Sequence, residues 1–506
     1  VTRPAGTTTP TTPGGPDLLS DRHIAALPPA LIAIGLVTAV ISSLGAQLIP
    51  TVARHYQVSV SSAQWSLTVA LMAGAVATPT MGRLGDGPRR RQVILGCLGL
   101  TLAGSLLAAV SANFAQLLAG RALQGVGLGM VPLVITVARE NLPMDRARST
   151  IAALSVTTVS GVGLGYPITG LITDRMGLRA AFWFGVGISA AVLVLAWLVI
   201  PARSAARHRP FDLFGVVALS ASLVALLVGL SQGEHWGWSS GPVIGLLVSS
   251  AALLALWVAH EIRCAHPLVE LRLLRDRSVL TADVATLLAG VGIYLLMALV
   301  IRFVQTPPTA GYGFGVPVVV AGLVLVPFSV GSVVANRVAP ALRRRVGAEP
   351  TITLGAFVFV AATGLLALWR EQLWQPFLAM GLAGLGVGLT FSASLGVLLN
   401  AVPAEETGSA TSFNQVLRSI GYSIGSTLSA LVLDVYTEPG RDLPSNAGYG
   451  AAFGVGIGVW LGAAVLSLLL PARRPFGRRS NIMRSCAGAR TRACASRPHA
   501  CSSEGR

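Results

Sequence analysis

Five polar side chains stand inside apolar runs, and each could hold or move a charge: Arg121, Gln124, Asp283, Asn414 and Arg418. A charge within a bilayer costs at least about 2.5–3.5 kcal/mol on insertion scales, so residues of this kind are rarely accidental. Arg121 and Gln124 are three apart, in Arg121-Ala122-Leu123-Gln124-Gly125-Val126-Gly127. Two readings of Arg121 stay open: a functional cation in a transport path, or an Arg that snorkels or is pinned to carbonyls of a neighbouring helix. Asn414 and Arg418 are four apart and share one face of a helix. Asp283 lies about a turn into its apolar run. It is either a proton carrier or an interfacial residue near a helix N-terminus, where the dipole favours a carboxylate. A pairing of Asp283 with Arg418 would require long side chains or a water, because their depths differ by about 9 Å at 1.5 Å per residue.

Further polar constellations sit in turns and bends. In Gly82-Arg83-Leu84-Gly85-Asp86-Gly87-Pro88-Arg89-Arg90-Arg91, Gly and Pro permit a tight turn between helices, and Asp86 beside an Arg run could form a charge lock. A plain basic loop is the alternative. Gly161-Val162-Gly163-Leu164-Gly165-Tyr166-Pro167-Ile168-Thr169-Gly170 places Gly161 and Gly165 on a face that allows close helix approach, and Pro167 removes a helix hydrogen bond. No enzyme constellation is expected. The seven His show no paired metal-ligand spacing, the five Cys are odd in number, and there is no Walker loop. Neither a metal nor a cofactor is expected.

The elements that must carry these residues are spanning helices. Hydrophobic residues make up 53% of the 506 and charged residues 11%. A typical soluble domain has about 25% charged residues, so a water-facing surface could not be covered, and soluble, nucleic-acid-binding and disordered classes are excluded for the bulk of the chain. Runs of about 20 apolar residues recur fourteen times between Leu27 and Leu470. All 37 basic residues are Arg. With the N-terminus inside, Arg clusters such as Arg89–Arg91, Arg203 to Arg209, Arg272 to Arg277 and Arg343–Arg345 fall on one side, as cytoplasmic loops require. Both termini are therefore expected in the cytoplasm. The expected organisation is a disordered leader over 1–26, a six-helix bundle over 27–201, an inserted helix pair over 212–260, a second six-helix bundle over 279–470, and a basic tail over 471–506. That tail could bind anionic lipid or be an extension without a specific role.

The segment around Asp86 resembles the signature loop of the major facilitator superfamily, Gly-x-Leu-x-Asp-x-x-Gly-Arg-x, with Gly82, Leu84, Asp86 and Arg90 matching. Gly87 and Arg89 depart from that pattern. A weaker echo at Arg337 and Arg343-Arg344-Arg345-Val346-Gly347 suggests an internal repeat. The Arg121 segment is similar to the family's Arg-x-x-Gln-Gly-x-Gly, in which the Arg is implicated in proton transfer. The Gly161–Gly170 segment is similar to the antiporter motif, whose bend seals one side of the path, although Tyr166 holds the Pro position here. Asn414-Gln415 with Arg418, together with the Asp212 and His266-Pro267 segments, resembles the fourteen-helix drug:proton antiporter branch. The first span of that branch usually carries an Asp where this chain has Ile41.

The resemblance implies an all-α integral membrane fold of fourteen helices, two six-helix halves plus an inserted central pair. It also implies a secondary exporter of small hydrophobic or amphipathic compounds such as drugs and antibiotics, working in the plasma membrane by rocking of two halves. The proton gradient is the expected energy source. The expected partners are that substrate and membrane lipid, with no nucleic acid, and the chain is expected to be a monomer. Expected roles are a conformational lock (Asp86, Arg90, Gly82), proton coupling (Arg121, Gln124, Asp283), a hinge (Gly161, Gly165, Pro167, Gly170) and a transport path (Asn414, Arg418, Tyr166, Phe413). Alternatives are export of an endogenous lipid or secondary metabolite, or a non-transporting scaffold or sensor.

Overall fold

The computed structural model describes residues 21–46, 48–85, 87–201, 212–264, 267–403, 406–438 and 443–469. The expected leader up to residue 20, Asp86 and the basic tail lie outside the described residues. The chain is all-helical: α1 Asp21–Ala46, α2 Ile49–Tyr56, α3 Val60–Gly85, α4 Arg90–Ala109, α5 Phe114–Val126, α6 Met130–Asn141, α7 Met144–Met176 and α8 Leu178–Val199. There follow α9 Leu213–Trp236, α10 Gly241–Arg263, α11 Arg277–Gln305, α12 Val318–Leu323, α13 Val326–Val346, α14 Ala348–Leu368, α15 Trp374–Ala401, α16 Thr407–Val435 and α17 Asn446–Leu469.

Twelve helices among the described residues are long and apolar enough to cross a membrane, rather than the fourteen expected. α1 and α7 are the two expected spans outside that set. Within the described residues the apolar stretch of α1 runs over Ala25–Ile41. α7 has 33 residues, and most side chains between 155 and 166 lie outside the described residues.

Three boundaries also move. The first span ends at Ala46 rather than Pro50, and Pro50 opens the short α2, where its missing N–H costs nothing. The fourth span is interrupted by a 3₁₀ turn over Gly127–Gly129 between α5 and α6. α13 continues to Val346, so Arg343, Arg344 and Arg345 sit in its last turn instead of a loop. Positive charge is favourable at that end of a helix dipole, and Gly347 at φ +99° then breaks the helix.

Packing partners recur along the chain. α1 packs on α7, α4 on α5 and α8, and α3 on α5; in the same order α11 packs on α16, α14 on α15 and α17, and α13 on α15. The closest approaches repeat too. A Cβ on Gly104 would stand 2.6 Å from the carbonyl oxygen of Gly120 between α4 and α5, and one on Gly355 would stand 2.6 Å from that of Gly386 between α14 and α15. Only a missing side chain lets these backbones meet, the small-residue device of membrane helix packing.

α3, α6 and α7 carry the contacts across to α12, α13, α15 and α16, and α9 packs against both α3 and α16. α10 touches the body chiefly through α9.

Candidate functional site

A chamber lies between α3 and α16 at their middle turns, with α1, α9 and α11 completing its wall. It holds about 230 Å³ of free space. Leu67, Leu71 and Met72 line the α3 side, whereas α16 presents Gln415, Ser419, Tyr422, Ser423, Ser426 and Thr427. The second set recurs at three- and four-residue steps, so one helix face supplies a stripe of hydrogen-bonding groups. The rings of Tyr294 and Tyr422 stack with centroids 4.3 Å apart on this wall. An apolar cavity with a few convergent polar groups is what small-molecule sites share.

The sequence-nominated path residues fall mostly behind this wall. Phe413 packs in an apolar cluster with Leu219, Leu223 and Trp257 of the inserted pair, and neither it nor Asn414 nor Arg418 lines the chamber. Neighbouring residues on a helix point about 100° apart, so Gln415, one residue from Asn414, takes the lining place. The side chain of Tyr166 lies outside the described residues.

Asp283 is 2% exposed, buried among its neighbouring helices. The Asn414 amide donates to Asp283 Oδ1 at 2.8 Å and to the Thr286 hydroxyl at 3.1 Å. Among the described residues no ion pair joins Asp283 to Arg418, the pairing that would have required long side chains or a water. Arg418 donates instead to Gln415, and its guanidinium carbon lies 5.1 Å from the centre of the Phe391 ring.

Arg121 and Gln124 are both 1% exposed. Arg121 Nε donates to the Ser66 carbonyl at 3.0 Å, and Nη1 to the Ile41 carbonyl at 3.2 Å and to Gln124 Oε1 at 2.7 Å. Gln124 in turn donates to the Ser105 hydroxyl at 3.0 Å. Arg121 thus ties α5 to α1 and α3 through carbonyls. Both residues border a small cavity that shares Leu67, Leu71 and Leu128 with the chamber. At position 41 the backbone carbonyl, not a side chain, meets the guanidinium.

At the Arg-rich end of the bundle, α3 and α6 meet α15 and α16. A Cβ on Gly82 would stand 2.8 Å from the Gly408 carbonyl oxygen and would strike Ser412, so this glycine is required by close approach. Arg83 pairs with Glu406 at 3.5 Å. Arg139 spreads its fork over the end of α15, Nη2 donating to the carbonyls of Leu399 and Val402 at 3.0 Å each and Nη1 to the Thr407 hydroxyl at 2.5 Å. Arg90 faces Glu140 with two bonds, at 2.5 and 2.9 Å. Of the nominated lock residues, then, Gly82 bridges to α16 and Arg90 grips α6. Arg83, Arg139, Glu140 and Glu406 were not nominated. Their signal was a charge at a helix end; positive-inside counting accounts for the two Arg but not for the two Glu.

α7 carries the nominated hinge. It stays helical through Gly161, Gly165, Pro167 and Gly170, and the Thr169 hydroxyl donates to the Gly165 carbonyl at 2.8 Å. Gly165 and Gly170 are buried. The helix packs against α1 on one side and α12, α13 and α15 on the other.

A helical bundle with a chamber between its N- and C-terminal helices is an architecture found among membrane transporters. The sequence profile of the Major Facilitator Superfamily matches residues 30–426 and again 282–488, and the chain belongs to that superfamily. It is 31% identical over 447 residues to an uncharacterised MFS-type transporter of Mycobacterium tuberculosis, covering 85% of this chain and 63% of that protein. The chain therefore spans somewhat less than two thirds of that relative's length. It is also similar to the multidrug resistance protein Stp of the same organism, at 29% identity over 76% of this chain and 71% of that one. The crystal structure of the human organic anion transporter MFSD10 (TETRAN) shares the fold with a TM-score of 0.61 at 17% identity, covering 89% of this chain and all of the other. The family and these relatives are those of transporters, not of an enzyme.

Proposed function

We propose that this chain is a secondary exporter of small hydrophobic or amphipathic compounds, drugs and antibiotics among them, driven by the proton gradient through alternating access in the plasma membrane. The observation that carries the reading is the chamber, enclosed between the two helix sets and lined by apolar side chains facing a hydroxyl stripe. The relative named as a multidrug resistance protein supports it.

In this reading residues 27–201 and 279–470 are the two rocking halves, an assignment supported by the repeated packing pairs. Adding α1 and α7, which pack on each other, to the twelve apolar helices makes fourteen spans. Both termini and the Arg-rich end then face the cytoplasm. The Arg139 and Arg83 contacts close that end, so the chamber is offered to the outside, and their release admits substrate from within. Asp86, outside the described residues, belongs to this proposed lock by its resemblance to the family's loop. The hinge glycines and Pro167 let α7 follow the rocking. Asp283 carries the proton, Asn414 reports its charge state to α16, and Arg121 with Gln124 holds the α1–α3–α5 wall in register. The chain works as a monomer among membrane lipids, needs no cofactor, and binds no nucleic acid.

The test is counterflow in proteoliposomes across a panel of amphipathic compounds, with and without a pH gradient. Exchange of a compound, accelerated into net accumulation by the gradient, is expected. A chain that exchanges none of the panel would leave the scaffold alternative standing.

A further inference from the structure

The inserted helix pair closes at its Arg-rich end on a mixed set of metal-ligating groups. Asp212, His260 and Cys264 each bring a ligand atom to within 4.8 Å of the others. Asp212 caps the N-terminus of α9, and Cys264 follows the last turn of α10, which carries His260. His260 and Cys264 are one turn apart on the same helix face. The sequence hid this set because Asp212 lies far upstream and reads as an ordinary cap.

A fourth group points at the same place. Glu261 is 3% exposed, and its Oε2 is buried without a hydrogen-bond partner. A Cβ on Gly215 would lie 3.2 Å from that Oε2 and in contact with Asp212 Oδ2, so the unpartnered Glu261 oxygen and the Asp212 oxygen that faces His260 both lie beside Gly215. Each carboxylate has its other oxygen held by the backbone. Asp212 Oδ1 accepts from the Gly215 N–H at 2.9 Å, and Glu261 Oε1 accepts from the Val269 N–H. Outer contacts of that sort orient metal ligands. The Phe214 ring lies 4.6 Å from the His260 ring and backs it.

Charge makes the same case. Among the described residues the ion pair made by these two carboxylates is Asp212 with His260, at 3.0 Å. Glu261 makes no ion pair among the described residues, and a buried carboxylate holds its charge at little cost only when paired or bound to a cation.

We propose that Asp212, His260 and Cys264, with the Glu261 carboxylate beside them as a further candidate ligand, bind a divalent transition-metal ion of the zinc class, which clasps the start of α9 to the end of α10. An imidazole, a thiolate and carboxylates together suit such a borderline ion, whereas magnesium and calcium prefer oxygen alone. Bonds of roughly 2.0–2.3 Å place tetrahedral ligand atoms roughly 3.3–3.8 Å apart, so Asp212, His260 and Cys264 contract by up to about 1–1.5 Å through side-chain rotation and Glu261 turns toward them. The Sγ–metal bond forms as the thiol releases its proton to water. The clasp also fixes the chain beyond it: Glu261 holds Val269, and the Ser409 hydroxyl of α16 donates to the Leu268 carbonyl at 2.9 Å.

The test uses the full chain in detergent with Cys486→Ser, Cys494→Ser and Cys501→Ser, so that the tail thiols cannot contribute. After removal of metal with a chelator it is titrated with Co²⁺ and then Zn²⁺. One Co²⁺ per chain, a thiolate-to-cobalt absorption band with tetrahedral visible bands, and bleaching by Zn²⁺ are expected. Cys264→Ser should abolish the thiolate band, and His260→Gln or Glu261→Gln should weaken Co²⁺ binding at least about tenfold. Gel filtration and helicity matching the parent identify the variants that have folded. No thiolate band in the parent, or an undiminished band in folded Cys264→Ser, overturns the proposal. Transport is not measured, so the result is independent of the function proposed above.

Discussion

Arg139→Gln is the sharpest probe of how the Arg-rich end stays shut. The guanidinium donates to two carbonyls and a hydroxyl across the gap between α6 and the α15–α16 turn. The carbonyls belong to the last turn of α15 and the residue after it, where backbone acceptors have no partner within the helix. Each bond contributes about 0.5–1.5 kcal/mol net, toward the lower end where the group is partly exposed to water. Gln can keep one of the three, so the closed state should lose about 1–3 kcal/mol. If closure is the majority state, its ratio to the open state should fall about 5- to 150-fold. The reporter is a single cysteine at Ser412, which is 1% exposed and faces Gly82 across the closure, in a protein otherwise free of cysteine. Alkylation by a water-soluble maleimide should accelerate by that factor in Arg139→Gln. An unchanged rate in a normally folded variant would show that these contacts do not hold the end closed.

Asp283→Asn should abolish accumulation driven by a pH gradient and leave downhill exchange largely intact; accumulation equal to the parent's would remove Asp283 from coupling. Gly386→Ala brings a Cβ to 2.6 Å from the Gly355 carbonyl oxygen, so about 1–3 kcal/mol of stability should be lost, seen as a lower Tm in detergent. Gly364→Ala, where a Cβ meets nothing within 4 Å, is the matched control and should leave Tm nearly unchanged. An impermeant thiol reagent added outside intact cells should label a cysteine at Ser239 and spare one at Ser149, and the reverse pattern would invert the orientation.

Helix existence was legible wherever an apolar run reached spanning length, because burial in lipid leaves the chain no other backbone solution. Helix ends were less so. Arg343, Arg344 and Arg345 read as a loop on charge alone, yet α13 extends through them because a basic last turn suits its dipole. Arg121 and Asp283 stood out as intramembrane charges, and both are buried. Their partners did not stand out. Asn414 reaches Asp283 across 131 positions, and Glu140 reaches Arg90 across 50; no local spacing rule connects such pairs. Phe413 lies off the chamber for a different reason. One residue of phase decides between the chamber and the inserted pair, and the apolar pattern of α16 does not resolve it.

The arrangement also bears on where a coupling proton can sit. Arginine stays protonated throughout the physiological range, so Arg121 cannot itself be the group that loads and unloads, whatever it contributes to field or position. Asp283 differs in kind. Its hydrogen bond comes from a neutral amide, and Arg418 is turned away toward Gln415 and Phe391. A carboxyl so placed is free to exist in either charge state without breaking an ion pair. Asn414, its partner, is adjacent to Gln415, which lines the chamber, and four residues from Arg418. A change of charge on Asp283 therefore acts first on one short stretch of α16, the helix that supplies the polar stripe of the chamber. Substrate in that chamber and a proton on Asp283 would compete or cooperate through the position of this single helix, with no direct contact needed between them. That predicts coupling sensitive to substitutions at Asn414 even where substrate binding is not. Asn414→Ala should shift the pH dependence of transport more than the apparent affinity for substrate. The opposite ranking would place the link elsewhere.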